Sequence, residues 1–184
     1  MFSDWLCRTA LACALLLMAA VPTGAKVLVT VEEALRLAFP NCQLERETIF
    51  LTKAETVAAG ELSGEAVTRA LAVRYVALRE GRIVGTAYFD VHRVRTLEET
   101  VLVVVRPDET IGRVEVVSFD EPMDYLPRQG WYRQFDGKVL DGDLQLDRAI
   151  RSVSGATLTA VATTAAARRM LAVHQVIERR DAKE

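Results

Sequence analysis

ALAVRYVALREGRIVGTAYFDVHRV, residues 70 to 94, is the stretch whose reading decides the fold. Its first part, Ala70 to Leu78, and its last, Ile83 to Val94, are rich in β-branched and aromatic residues, which suit a pleated, partly buried surface. Between them Arg79-Glu80-Gly81-Arg82 places a glycine where the turn of a β-hairpin needs a positive φ. Within the second part Ile83, Ala87, Phe89 and Val91 alternate with Thr86, Tyr88, Asp90 and His92. A period of two predicts a strand with one buried face and one polar face.

On the C-terminal side, Leu102-Val103-Val104-Val105 is apolar throughout, the pattern of a central strand covered on both faces. Pro107-Asp108 then turns the chain, and Gly112 to Phe119 supplies a further strand with Val114 and Val116 inward. These make four antiparallel strands in sequence. On the N-terminal side, Thr30-Val31-Glu32-Glu33 has the form of a capping box and opens a helix from Val31 to Phe39, stopped by Pro40. The pattern repeats at Thr52-Lys53-Ala54-Glu55, with a second helix ending near Gly60.

After the strands, Asp120 to Pro127 and Gly130 to Phe135 contain two prolines and a glycine, so the segment reads as a loop with short helical turns. Trp131 and Phe135, at i and i+4, pack it on the sheet. An alanine-rich helix follows from about Leu158 to Ile177, with Ala162, Ala166, Met170, Val173 and Ile177 on one stripe. Arg168, Arg169, Glu178 and Arg179 fall elsewhere on it or near its end, and the tail from Arg179 reads as frayed. The expected class is α+β: an antiparallel sheet with N-terminal helices and a C-terminal helix packed on it.

At 184 residues the chain is one domain plus an extension. A net charge of −2 and the lack of a basic tract give no nucleic-acid surface. Thr9 to Val21 is apolar and uncharged, follows Arg8, and leads to small residues ending at Ala25. The run falls short of the roughly 20 residues of a spanning helix, so residues 1–25 read as a signal peptide removed on export. An uncleaved N-terminal anchor is the alternative, since Asp4 offsets Arg8. Of three cysteines only Cys42 lies beyond that segment, which leaves no internal disulfide and no thiolate metal cluster in the mature chain. His92 and His174 are far apart and propose no metal site. Asp141-Gly142-Asp143 carries only part of a calcium loop's ligand set.

No familiar catalytic constellation is assembled, and no catalytic residue is assigned. His92 reads as lining the polar side of a strand and His174 a helix face. Ser154-Gly155-Ala156-Thr157, at the start of the last helix, has two readings. Thr157 is an ordinary N-cap, or small residues and free amides make a phosphate seat at the positive end of the helix dipole.

These residues resemble the FMN-binding domain family, which includes the flavin-carrying subunits of sodium-pumping NADH:quinone oxidoreductases and Rnf complexes and many stand-alone exported proteins. The resemblance runs from about Val67 to Ile177. It rests on the strand pair at Gly81-Arg82-Ile83-Val84-Gly85, the Glu121-Pro122 loop, the Gly130-Trp131 to Gly137-Lys138 segment with Gln134-Phe135, and above all Ser154-Gly155-Ala156-Thr157-Leu158-Thr159. In that family the last threonine of the Ser-Gly-Ala-Thr motif receives FMN through a phosphodiester bond, installed by an exported flavin transferase using FAD. The resemblance therefore implies Thr157 as attachment residue, with Ser154, Gly155, Ala156, Leu158 and Thr159 around the phosphate and ribityl chain. Glu121, matching the acid of the family's Glu-Thr-Pro-Gly loop, is implied near the flavin ring.

Two positions depart from the family pattern. Arg151 stands six residues before Thr157, where the transferase recognition pattern carries an acid, and Glu121 runs directly into Pro122-Met123 without the threonine and glycine. The resulting organisation is a signal peptide at 1–25, an N-terminal helical segment at 26–66 and an FMN-binding domain at 67–184. The resemblance implies a periplasmic or otherwise extracytoplasmic electron carrier, more carrier than stand-alone enzyme. It would serve redox partner proteins in a membrane-associated chain and depend on a flavin transferase for maturation. A non-covalent flavin-binding module for sensing or assembly, and an exported flavin-dependent reductase, are the alternatives.

Overall fold

The structure, a computed structural model, describes residues 26–183. The expected signal peptide, residues 1–25, lies outside them. Six antiparallel strands form one sheet in the order β1-β6-β5-β4-β3-β2. They are β1 (Lys26–Val27), β2 (Gln43–Phe50), β3 (Leu71–Arg79), β4 (Arg82–Arg93), β5 (Glu98–Val105) and β6 (Ile111–Phe119). Helix α1 (Val31–Ala38) precedes β2, α2 (Lys53–Ser63) follows it, and α3 (Gln129–Tyr132) and the long α4 (Thr157–Asp181) come after the sheet. The α+β arrangement expected from the sequence is the one observed.

The hairpin between β3 and β4 turns on Glu80 and Gly81, at φ 52° and 75°, the two positive values that match the twist of the flanking strands. β5 lies inside the sheet and is buried on both faces. Val101, Val103 and Val105 join the core beneath α4, while Leu102 and Val104 join a second core with Ala34, Leu35 and Phe39 of the α1 region. Gly85 is what lets Phe39 settle on β4. A Cβ there would meet Phe39 Cε1 at 2.9 Å and the Val105 carbonyl oxygen at 3.1 Å.

Five features differ from the sequence reading. Gln43–Phe50 is a full strand, paired with β3 from Gln43↔Leu78 to Phe50↔Leu71. Its charges hide the alternation because it is an edge strand, and edges carry charge to discourage further pairing. Residues 26–66, expected as helical, thus also supply β1 and β2 to the sheet. Helix α2 passes through Gly60 and ends at Ser63, where Gly64 adopts φ 70° and closes the helix by donating to the Gly60 carbonyl. At its start the Thr52–Glu55 capping box is formed in both directions.

The polar face of β4 is not solvated: Tyr88 and Asp90 are buried against α4. Nor are the charges of α4 all outward. Arg168 is buried and donates to the carbonyls of Ser63 at 2.6 Å, Asp141 at 2.7 Å and Leu144 at 3.0 Å. It locks the end of α2 and the 141–144 loop onto the helix. The tail expected to fray continues as helix to Asp181, because Glu178 and Asp181 pair with Arg74 of β3 at 2.9 and 3.0 Å.

Candidate functional site

Helix α4 begins at Thr157, with Ala156 as its N-cap and no side chain capping it. Thr157 is therefore the first helical residue and not the cap, which removes the N-cap reading of its hydroxyl. Its Oγ1 turns back and donates to the Val153 carbonyl at 3.3 Å, and the residue is exposed. Gly155 stands at φ +83°, with no atom within 4 Å of where a Cβ would lie. It takes the left-handed region that glycine enters without steric penalty and bends the chain into the helix.

The first N–H groups of an α-helix have no intrahelical partner. The N–H of Ala156 is taken by the Val153 carbonyl, and the first intrahelical bond is donated by Ala160. The amides of Thr157, Leu158 and Thr159 thus share the first turn with the exposed Thr157 hydroxyl, at the positive end of a 25-residue helix. Leu158 and Val161, one turn apart, are about half exposed and offer an apolar strip beside them. Ala156 and Thr159 are buried and anchor the turn, whereas Ser154 is exposed.

The segment before the helix is held from behind. The Trp131 indole N–H donates to the Arg151 carbonyl at 2.6 Å, and the Arg151 N–H donates to Gln134 Oε1 at 2.9 Å. Trp131 itself stands edge-on to Tyr132 and Phe135, with centroids 5.0 and 5.4 Å away, and Phe135 is fully buried in the main core. The expected packing of this aromatic pair on the sheet is observed, and Trp131 adds a polar contact that spacing alone did not reveal.

Glu121 reaches the same region indirectly. Its Oε1 accepts from the N–H groups of Arg95, Thr96 and Leu97 at 3.2, 2.7 and 2.9 Å and from the Thr96 hydroxyl at 3.3 Å. The backbone amides of Leu97, Thr96 and Arg95, with the Thr96 hydroxyl, outweigh desolvation and hold its carboxyl below the ordinary range. Glu121 therefore fastens the β4–β5 loop. From that loop Arg95 lies over the Tyr125 ring at 4.7 Å, and the Tyr125 carbonyl accepts from the Thr159 hydroxyl at 2.6 Å. Met123, on the same short turn as Tyr125, is exposed. Of the residues singled out from the sequence, 154–159 form one surface, and Glu121 supports it through Arg95 and Tyr125 without touching it. The supporting carbonyls of Tyr125 and Arg151 carry no sequence signal, since every residue has one.

The residues at this surface fit a phosphate ester. The hydroxyl is exposed, the amides of the same turn are unspent, and the glycine side is open. Two clefts of 490 and 820 Å³ lie elsewhere, and neither is lined by residues 154–159. No group of three or more His, Cys, Asp or Glu among the described residues is arranged to hold a metal ion. No helix among them is long and apolar enough to cross a membrane.

No protein-family profile and no curated protein sequence matches the chain. Among solved structures the chain is similar to NqrC of Shewanella oneidensis, with a TM-score of 0.52 and 17% identity, over 73% of this chain and 84% of that one. The likeness is one of fold.

Proposed function

We propose that this chain is an exported FMN-binding electron-transfer protein whose flavin is joined by a phosphodiester bond to Thr157. The observation that carries the reading is the exposed hydroxyl of Thr157, the first residue of a long helix whose first-turn amides are unspent, on an NqrC-like fold. NqrC is a flavin-carrying subunit of a sodium-pumping NADH:quinone oxidoreductase, and the resembled family carries flavin on the threonine matching Thr157.

Each part of the surface has a duty in this reading. Thr157 Oγ1 supplies the ester oxygen, and the amides of Thr157, Leu158 and Thr159 compensate the remaining phosphate charge. Leu158, Val161 and Met123, all exposed, would offer apolar contact to the ring, and Glu121, behind the Tyr125 turn, would act on it by charge. When bound, the flavin accepts and releases electrons singly or in pairs. A seat outside the two clefts described suits a carrier that must bring its group close to successive redox proteins. A covalent bond keeps the cofactor from being lost outside the cytoplasm, and a flavin transferase would install it.

A second reading, non-covalent flavin binding for sensing or assembly, is favoured by one feature. Arg151 is exposed while its main chain is fixed by Trp131 and Gln134, so a cation stands where the transferase recognition pattern has an acid and could attract a phosphate by charge alone. Coexpression with a flavin transferase and a denaturing gel under ultraviolet light separate the two. The covalent reading expects a fluorescent band that disappears in Thr157→Val. Flavin that co-elutes with the native protein but leaves no band on the gel selects the second reading, and no flavin in either state refutes both.

A further inference from the structure

Strands β3 and β4 part company beyond the pair Arg74↔Tyr88. β3 continues through Leu71–Val73 on its β2 side, and β4 continues through Phe89–Arg93 on its β5 side. The Ala70 carbonyl accepts from Leu51, so the alternation of a strand turns the N–H and C=O of Leu71 and Val73 the other way, into the gap. The result is a groove of 820 Å³, within the size range of small-molecule sites. Phe50, Leu71, Met170 and Val173 make its apolar wall, and Asp90, His92 and Arg169 its polar part.

Those polar groups are built into a chain. Arg169 grips Asp90 through Nε at 3.2 Å and Nη2 at 2.8 Å. Asp90 Oδ1 meets His92 Nδ1 at 2.8 Å, and His92 Nε2 meets Glu99 Oε2 at 2.9 Å. Glu99 is completely buried and also accepts from the Thr163 hydroxyl at 3.1 Å. Burial alone would push the His92 imidazole down, but Asp90 and Glu99 together raise it above its ordinary value. Burial likewise works against the Asp90 carboxylate, yet His92 and Arg169 bring it down to about 2.

A buried charge chain is costly and is weak support for stability by itself, while it can fix one geometry. Here the geometry fixed is that of Arg169. Both Asp90 oxygens are taken and both His92 nitrogens are taken, but Arg169 Nη1 has no partner among the described residues, on a side chain that lines the groove. Arg69, exposed, adds a second cation at the same groove. The charged hydrogen-bonding capacity left unspent there, on Arg169 and Arg69, is cationic and donating, with the neutral Thr68 hydroxyl beside it and an apolar wall next to it.

We propose that this groove binds a small amphipathic carboxylate, its anionic end on the free edge of Arg169 and its apolar body along Phe50, Leu71, Met170 and Val173. Arg169 follows Thr157 by about 18 Å along α4, at 1.5 Å per residue. The site is separate from the Thr157 surface and does not depend on what that surface holds.

Hexanoate and 1-hexanol, one charged and one neutral with the same chain, are the probes. Titration of the full chain by calorimetry and by ¹⁵N-resolved NMR at pH 7 should show hexanoate binding at least about tenfold more tightly than hexanol, a factor readily resolved. The amides of Leu71 and Val73 should shift with it. Arg169→Gln should remove the preference for hexanoate. Should that variant fail to fold, Phe50→Ser, at a rim residue 74% exposed, should weaken both probes without loss of the fold, and the wild-type comparison stands without any variant. Equal binding of the two probes, no binding of hexanoate, or shifts away from residues 71–73 and 89–92 would overturn the proposal. An end-blocked neutral tetrapeptide that binds where hexanoate does not would overturn it in favour of strand addition to the split sheet.

Discussion

His174 makes the fold acid-sensitive. It lies in the core side of α4, 5% exposed, with Nδ1 3.0 Å from the Tyr88 hydroxyl. Burial is the main cause of its depressed pKa; Glu109 opposes the shift weakly, Arg74 adds to it, and the value falls from 6.5 to about 4. The unfolded chain therefore binds a proton near pH 6.5 that the folded chain refuses until about pH 4, and stability falls as pH drops through that window. Each pH unit inside it is worth roughly 1 kcal/mol, so by pH 4.5 the loss is about 2–3 kcal/mol relative to pH 7.5. His92 has the opposite sign. Its folded value is raised, so its contribution is complete below pH 6.5 and is lost as pH rises through the folded value. Urea unfolding of wild type and His174→Gln at pH 7.5, 5.5 and 4.5 isolates the His174 part, because carboxylates titrate alike in both. The variant should start less stable at pH 7.5 and lose about 2–3 kcal/mol less on going to pH 4.5. Parallel stability curves for the two proteins across that range would refute the burial argument, as would an NMR titration placing the His174 ring near 6.5.

Gly85→Ala should cost about 1–3 kcal/mol in urea unfolding, the usual range for overpacking, because the Val105 carbonyl at 3.1 Å from the new Cβ belongs to a central strand and cannot swing aside. Arg168→Met keeps the apolar stem but strands three carbonyls, those of Ser63, Asp141 and Leu144. It should lower stability by about 3 kcal/mol, on the scale of bonds made by charged donors, and an unchanged denaturation midpoint would contradict the role given to it. Trp131→Phe retains edge-on packing with Phe135 but loses the indole bond to the Arg151 carbonyl. Its global cost should be about 1 kcal/mol, while amide exchange at residues 151–156 should quicken more than elsewhere.

What the sequence disclosed depended on how far each element owes its form to its own residues. The hairpin of β3 and β4, the buried β5 and the capping box at Thr52 are local matters of alternation, turn glycine and cap, and all were legible. Strand β2 was not, since its partner supplies the reason for its conformation and its own Glu45, Arg46 and Glu47 face solvent or pair outward, as Glu47 does with Arg74 at 2.6 Å. The sequence sets Arg168 off the apolar stripe and His174 on a helix face without showing that both are buried, because a helix with alanines on several sides has no unambiguous outer face. Only the packing of α2 and the 141–144 loop on α4 decides that side. At the candidate site Ser154-Gly155-Ala156-Thr157 announced a helix start. The support beneath it, from Trp131, Gln134 and the Tyr125 carbonyl, joins segments 17 to 34 residues apart in sequence and needed the folded chain.

Helix α4 is where these observations converge. Thr159 bonds to Tyr125, Thr163 to Glu99, Arg168 to three carbonyls, Arg169 to Asp90 and Glu178 to Arg74. A helix in water-like surroundings would slide or rotate at little cost against an alanine-rich face, because small side chains interlock weakly. Polar anchors spaced along its length remove that freedom, since moving the helix by one residue would break all of these pairings at once and strand the buried Thr163 and Arg168 donors. The same anchoring fixes where the Thr157 hydroxyl emerges at one end and where Arg169 meets the groove further along, so both surfaces inherit their geometry from one rigid element.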